Sequence, residues 1–118
     1  MALNNLLASR KVVFAILILS SLWRHAVAVN PDSIGAIWSM GQTHLEAGEF
    51  PEAKEAFKQV LAIDRFYIHA YLELAKLQER AGDLAEAKKN YQLFVRYGQY
   101  QSPAEAMKVK AYLQYKYR

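Results

Sequence analysis

Residues 34–67 read IGAIWSMGQTHLEAGEFPEAKEAFKQVLAIDRFY, and residues 68–101 read IHAYLELAKLQERAGDLAEAKKNYQLFVRYGQYQ. Set one above the other, the two stretches keep one register without insertion or deletion. Ile37 stands over Tyr71, Met40 over Leu74, Gly41 over Ala75, Gly48 over Gly82 and Glu49 over Asp83. The match continues through Phe50 over Leu84, Ala53 over Ala87, Phe57 over Tyr91, Val60 over Phe94 and Leu61 over Val95. A repeat at a fixed offset of this size means two copies of one supersecondary unit. Each copy carries apolar residues at helical spacing, Ile37, Met40 and Leu45 and then Phe50, Ala53, Phe57 and Leu61 in the first, so each unit reads as two amphipathic helices. A glycine between them permits the left-handed turn that a residue with a side chain resists. The small Ala53 and Ala87 let paired helices approach closely. The expected class is all-α, with helices at about 33–47, 50–64, 67–81 and 84–97, the last of them stopped by Gly98.

The pattern resembles the tetratricopeptide repeat over about 68 of the 118 residues, and 34 residues is the length of that repeat. Met40-Gly41 and Leu74-Ala75 stand at its Leu-Gly position, Gly48 and Gly82 at its turn, Ala53 and Ala87 at its tight helix contact, and Phe57 and Tyr91 at the aromatic that follows. The departures are His44 and Gln78 for an aromatic, Val60 and Phe94 for the later alanine, and Arg65 and Gln99 for the closing proline. The resemblance implies that the first helix of each repeat lines a concave face where peptides or extended segments bind. Carried over position by position, the partner-binding candidates are Trp38, Ser39, Gln42, Leu45 and Glu46 in one repeat and His69, Leu72, Glu73, Lys76 and Arg80 in the next. Trp38 lies one residue past the bulky core position, which Ile37 fills, so its indole is expected to face the groove, and interfaces favour tryptophan at hot spots. The Lys and Asn set with which some members of the family grip a chain-terminal carboxylate is missing. The implied function is an interaction scaffold or adaptor whose partner is a protein or peptide, a membrane-complex subunit or a second copy of the chain included.

At 118 residues and 53% hydrophobic the chain is expected to form one packed domain, with no cysteine for disulfides, thiolate metal sites or nucleophilic catalysis. The net charge of +4 is unevenly distributed: Arg10, Lys11 and Arg24 supply three positive charges, 29–87 holds ten acidic and five basic residues, and 88–118 holds one acidic and seven basic. This polarity favours orientation of a partner over indiscriminate binding to polyanions. A rival reading makes the basic end, with Tyr97, Tyr100, Tyr112, Tyr115 and Tyr117 as stacking groups, a binder of nucleic acid or an anionic surface. The alternative adopted here is that these tyrosines close the core beneath the last helix. No catalytic constellation is present. His25, His44 and His69 lack the paired spacing of a helical metal site, no glycine-rich phosphate loop or nucleophile motif occurs, and Glu52 and Glu55 read as a solvated face. No enzyme activity, metal or cofactor is therefore expected.

The two ends flank this array. Residues 4–11 are polar with two positive charges, 12–22 are almost purely apolar, and Ala26-Val27-Ala28 offers small residues at cleavage spacing, the layout of a secretory signal peptide. The apolar run is short of the roughly 20 residues of a comfortable span, but an uncleaved anchor could use 12–23 with its positive charges held on the cytoplasmic side. A third reading extends the repeat register backward, setting Ile16, Trp23, Val27 and Val29 under Phe50, Phe57, Leu61 and Ile63, so that 1–28 leads into a half repeat. The first two place the chain at a membrane or outside it, periplasmic or secreted, rather than in the cytosol. Asn30-Pro31-Asp32-Ser33 then breaks and restarts the helix. At the other end, Ser102-Pro103-Ala104-Glu105 reads as a capping box opening a fifth helix over 102–118, whose Ala106, Val109 and Leu113 would cap the array while Lys108, Lys110 and Lys116 face water.

Overall fold

The computed structural model describes residues 33–118, and they form five α-helices with no strand among them: α1 (Ile34–Glu46), α2 (Phe50–Ile63), α3 (Ile68–Arg80), α4 (Leu84–Gln101) and α5 (Pro103–Lys116). The three readings of the leading segment and the break at 30–32 fall outside the described residues. No helix among those described is long and apolar enough to cross a membrane.

Both intra-repeat turns are built alike. Gly48 and Gly82 adopt φ of 77° and 84°. Around the first, Glu49 N–H donates to the His44 carbonyl at 2.8 Å and Gly48 N–H to Leu45 at 3.1 Å; around the second, Asp83 donates to Gln78 and Gly82 to Glu79 at the same two distances. This pair of bonds satisfies carbonyls that a helix end would otherwise leave without partners. The α2–α3 connection is held differently, by Asp64 Oδ1 accepting from Phe66 N–H at 2.9 Å and by Tyr71 Oη donating to the Arg65 carbonyl at 2.7 Å.

Each helix packs on the helix before it and the helix after it in the chain. Two apolar clusters result. Ile37, Ala53, Ala56, Phe57 and Val60 meet Ala70, Leu74 and Leu77 in the first, and Ile68, Tyr71, Leu72 and Ala75 meet Ala87, Tyr91, Phe94 and Val109 in the second. Helix α3 supplies both, with eight of its thirteen residues buried, and so forms the common wall of the array. The repeat register explains Ala53 and Ala87, each wholly inaccessible, and Gly41, where an added Cβ would lie 2.6 Å from the buried Phe57 ring. Gln78, in place of an aromatic, is buried on α3. Its amide pairs with that of Asn90 on α4, whose Nδ2 lies 2.6 Å away, and it also lies 3.3 and 3.2 Å from the Leu74 and Glu86 carbonyls.

Three expectations change. Gly98 does not end α4, which continues to Gln101. Gly98 is instead a buried close-approach position, its missing Cβ 3.5 Å from that of Ala106 on α5, and the extra turn is tied down by Gln101 Nε2 donating to the Phe66 carbonyl at 3.1 Å. Ser102 does occupy the N-cap of α5, but its hydroxyl donates to the Glu105 carboxylate at 3.2 Å and makes no bond to the helix backbone, so the reciprocal capping box is absent. Lys116 does not simply face water, because its ammonium lies 3.1 Å from Glu79.

Candidate functional site

The sequence candidates divide by depth. Glu46, His69, Lys76 and Arg80 are exposed, while Trp38, Ser39, Gln42, Leu45 and Glu73 are half-buried. Leu72 packs inward with 8% of its surface accessible, because it faces α4 in the second cluster. Trp38 lies at the margin of the first cluster, its indole centroid 5.0 Å from both the Phe57 and the Tyr67 rings. The indole is thus wedged between α2 and the residue that opens α3 instead of standing free. His69 sits beside Phe94 at a centroid distance of 6.3 Å.

Four of the candidates, Leu45, Glu73, Lys76 and Arg80, come together in one cleft of about 400 Å³. Phe50, Leu77, Glu79 and Lys116 complete it, so that α1, α2, α3 and α5 all contribute. Leu45, Phe50 and Leu77 make its apolar part and the charged groups its rim. Arg80 lies over the Phe50 ring with its guanidinium carbon 4.3 Å from the centroid, a cation–π contact that joins the two repeats.

Glu79 anchors the far wall. Its two carboxylate oxygens accept from Tyr112 Oη and Tyr117 Oη at 2.7 Å each, and Lys116 Nζ lies 3.1 Å away. Burial pushes the carboxyl up, but the hydrogen bonds from Tyr112, Tyr117 and Lys116 outweigh it and hold Glu79 below the usual carboxylate range. Burial and the same carboxylate raise Tyr117 to about 12, and Tyr91, buried beneath, is raised as well by its burial and by Glu79. Through these bonds the last turns of α5 are fastened to α3. Phe50, Leu77, Glu79 and Lys116 were missed by sequence reasoning, yet Glu79 had a signal: it is the repeat equivalent of Leu45, which was chosen.

The five tyrosines of the basic end are divided by this packing. Tyr112 and Tyr117 engage Glu79 and flank the Tyr91 ring at centroid distances of 5.4 and 6.3 Å, and Tyr97 packs on Phe66 and Tyr71 at 5.2 and 5.7 Å. Tyr100 and Tyr115 remain open to solvent, 83% and 77% exposed. Among the described residues no group of three or more His, Cys, Asp or Glu is placed to hold a metal ion. His44 Nδ1 lies 3.5 Å from Glu49 across the first turn.

Comparison with known proteins bears on the repeat segment. Residues 44–92 match the family model described as tetratricopeptide repeat. A stretch of 68 residues, 58% of the chain, is 32% identical to the tetratricopeptide repeat and J domain-containing co-chaperone DNJ1 of Fusarium oxysporum f. sp. lycopersici. That stretch spans 13% of the co-chaperone's length. Among solved structures, one crystal structure of MamA superposes with a TM-score of 0.65 at 23% identity, covering 69% of this chain and 47% of MamA. A second MamA structure gives 0.61 at 24% identity, covering 70% and 45%. Residues 44–92 therefore carry tetratricopeptide-repeat sequence, on an all-α repeat fold shared with MamA.

Proposed function

We propose that this chain is a protein-interaction module that holds an extended segment of a partner protein in the cleft between the two repeats. The observation that carries the reading is convergence. Four residues chosen for partner contact from two different helices line a single concavity with an apolar floor and a charged rim. A rigid α3, buried on two sides, presents Glu73, Lys76 and Arg80 in that concavity without needing to move. Preorganisation of this kind spares a partner the ordering cost of the receptor. Holding is the role this cleft suits, since its two carboxylates, Glu73 and Glu79, are engaged by lysine and tyrosine groups.

The test is site-specific photo-crosslinking. A photoreactive residue at Lys76, inside the cleft, should capture the physiological partner. The same residue at Glu55 or Lys88, on exposed positions of α2 and α4 outside the cleft lining, should not. Capture from α2 or α4 with none from Lys76 would overturn the cleft assignment.

We also propose that the module works at a membrane or beyond it, on the strength of the positively charged, then apolar, then small-residue layout of 4–28. Mass spectrometry of the mature N-terminus checks this. A start at Val29 identifies export with cleavage, and an intact N-terminus that sediments with membranes identifies an anchor. An intact protein wholly in the soluble fraction would refute both.

A further inference from the structure

We infer that the cleft selects partner segments in which a side-chain carboxylate stands next to a bulky aliphatic residue. This deepens the cleft reading above and rests on it.

The balance of charge around the rim comes first. Three cations, Lys76, Arg80 and Lys116, and two carboxylates, Glu73 and Glu79, line the site. The carboxylates are already engaged. Glu73 lies 3.2 Å from Lys76, and Glu79 takes Tyr112, Tyr117 and Lys116 together. Arg80 has no carboxylate within ion-pair distance among the described residues. Its guanidinium lies on the Phe50 ring 4.3 Å from the centroid, which holds the group in place by its face and leaves the hydrogen-bonding edge unused. An edge of parallel N–H groups is the geometry that receives a carboxylate through two bonds at once. Lys76 and Lys116 are held by those same carboxylates, so the lining carries a net single positive charge centred on Arg80, which attracts an anionic segment and disfavours a cationic one.

The second element is the floor. Leu77 is buried, and Leu45 and Phe50 are half-buried, so a ligand atom set between them replaces water on three apolar surfaces from three helices. The cleft volume of about 400 Å³ lies near the low end of small-ligand sites, enough for a few side chains and not for the face of a folded domain. Arg80 stands on the Phe50 ring itself, so the anionic and apolar groups of the ligand must be close neighbours. An aspartate or glutamate side chain beside an aliphatic residue of the same extended segment meets both requirements, the carboxylate at Arg80 and the apolar group on Leu45, Phe50 and Leu77.

A titration followed by NMR of the full chain in detergent tests this, with Leu methyl groups and the Arg80 Nε–H as reporters. The probes are acetyl-Gly-Leu-Asp-Leu-Gly-amide, its Asn and Lys counterparts, and the Asn peptide with a free C-terminus. The Asp peptide should shift Leu45, Leu77 and Arg80 together and bind at least tenfold tighter than the Asn peptide, with the Lys peptide weaker still. Arg80→Gln should remove the preference, and Arg80→Lys should retain part of it because the charge remains without the planar edge. Equal binding of Asp and Asn peptides with shifts inside the cleft would overturn the charge selectivity while leaving the cleft reading standing. Shifts confined to other surfaces, or none with any peptide, would overturn the cleft reading itself. A preference that survives Arg80→Gln would overturn the assignment to Arg80, and tighter binding of the free-terminus peptide than of the Asp peptide would overturn the choice of a side-chain carboxylate.

Discussion

Replacing Glu79 by alanine should loosen the last helix without disturbing the repeats. The carboxylate accepts two tyrosine hydroxyl bonds of 2.7 Å from Tyr112 and Tyr117 and sits 3.1 Å from Lys116. Hydrogen bonds to a charged group contribute about 1.5–3 kcal/mol each. The Glu79 side chain is 19% exposed and both tyrosines are half-buried, so water takes up part of what is lost, and the lower end of that range applies. The lysine pair is partly open and adds no more than about 0.5 kcal/mol. The sum is a destabilisation of about 3–3.5 kcal/mol, read from urea unfolding. Hydrogen exchange should show the loss concentrated in α5, while α1 to α3 keep their protection. The decisive measurement is the double-mutant cycle of Glu79→Gln with Tyr112→Phe, and again with Tyr117→Phe, each expected to give a coupling of about 1 kcal/mol. Additive cycles for both tyrosines, with α5 protection unchanged in Glu79→Ala, would show that Ala106 and Val109 hold this helix alone and that the reasoning from Glu79 is wrong.

Three further outcomes follow from the packing. Gly41→Ala should destabilise by up to about 2 kcal/mol, because overpacking against Phe57 exceeds the gain in helix propensity, whereas Gly98→Ala, whose Cβ finds ordinary contacts at 3.5–3.9 Å, should be neutral or stabilise by up to about 1 kcal/mol; thermal unfolding of the pair checks the order. Trp38→Ala should cost about 2 kcal/mol in urea unfolding, roughly half the loss of a fully buried tryptophan, since the indole packs on Phe57 and Tyr67. The α5 attachment should have a pH window. Glu79, held low in the fold, contributes fully above the ordinary carboxylate pKa of about 4.3 and loses its contribution as pH falls through its lower folded value. Tyr117, raised to about 12, contributes fully below the ordinary tyrosine pKa of about 10 and loses its contribution as pH climbs toward that raised value. Near-ultraviolet circular dichroism should follow both limbs, and Glu79→Gln should flatten them.

The repeat architecture was legible because it is written in local periodicity: Ile37, Ala53, Phe57, Ala75, Ala87 and Tyr91 are each buried where the register places them. The two turn glycines were legible for a backbone reason that any reader of sequence can apply. Gly98 was misread because a glycine near the end of an apolar stripe looks the same whether it stops a helix or lets another helix in. The difference lies in Ala106 and in the Gln101 bond to Phe66, neither of which is a local signal. The candidate site was legible on α1 and α3, where the repeat offset assigns a face, but not at Lys116 or the Glu79 carboxylate. Their meeting depends on how α5 folds back, over a separation of more than thirty residues. Trp38 was placed on the right helix and near the right margin, but sequence spacing alone could not show that Tyr67, beyond the next turn, would come to lie against it.

Because the helix backbones approach one another closely only in chain order, the molecule has a mechanical weak line. The α2–α3 seam is the sparsest of the four, so a pull on the two ends should part the α1–α2 hairpin from the α3–α5 body there before either piece unravels. The cleft straddles that line, with Leu45 and Phe50 on one bank and Glu73, Lys76 and Arg80 on the other. A segment seated in it would act as a staple across the seam, and the module would grow stiffer under load whenever that segment is in place.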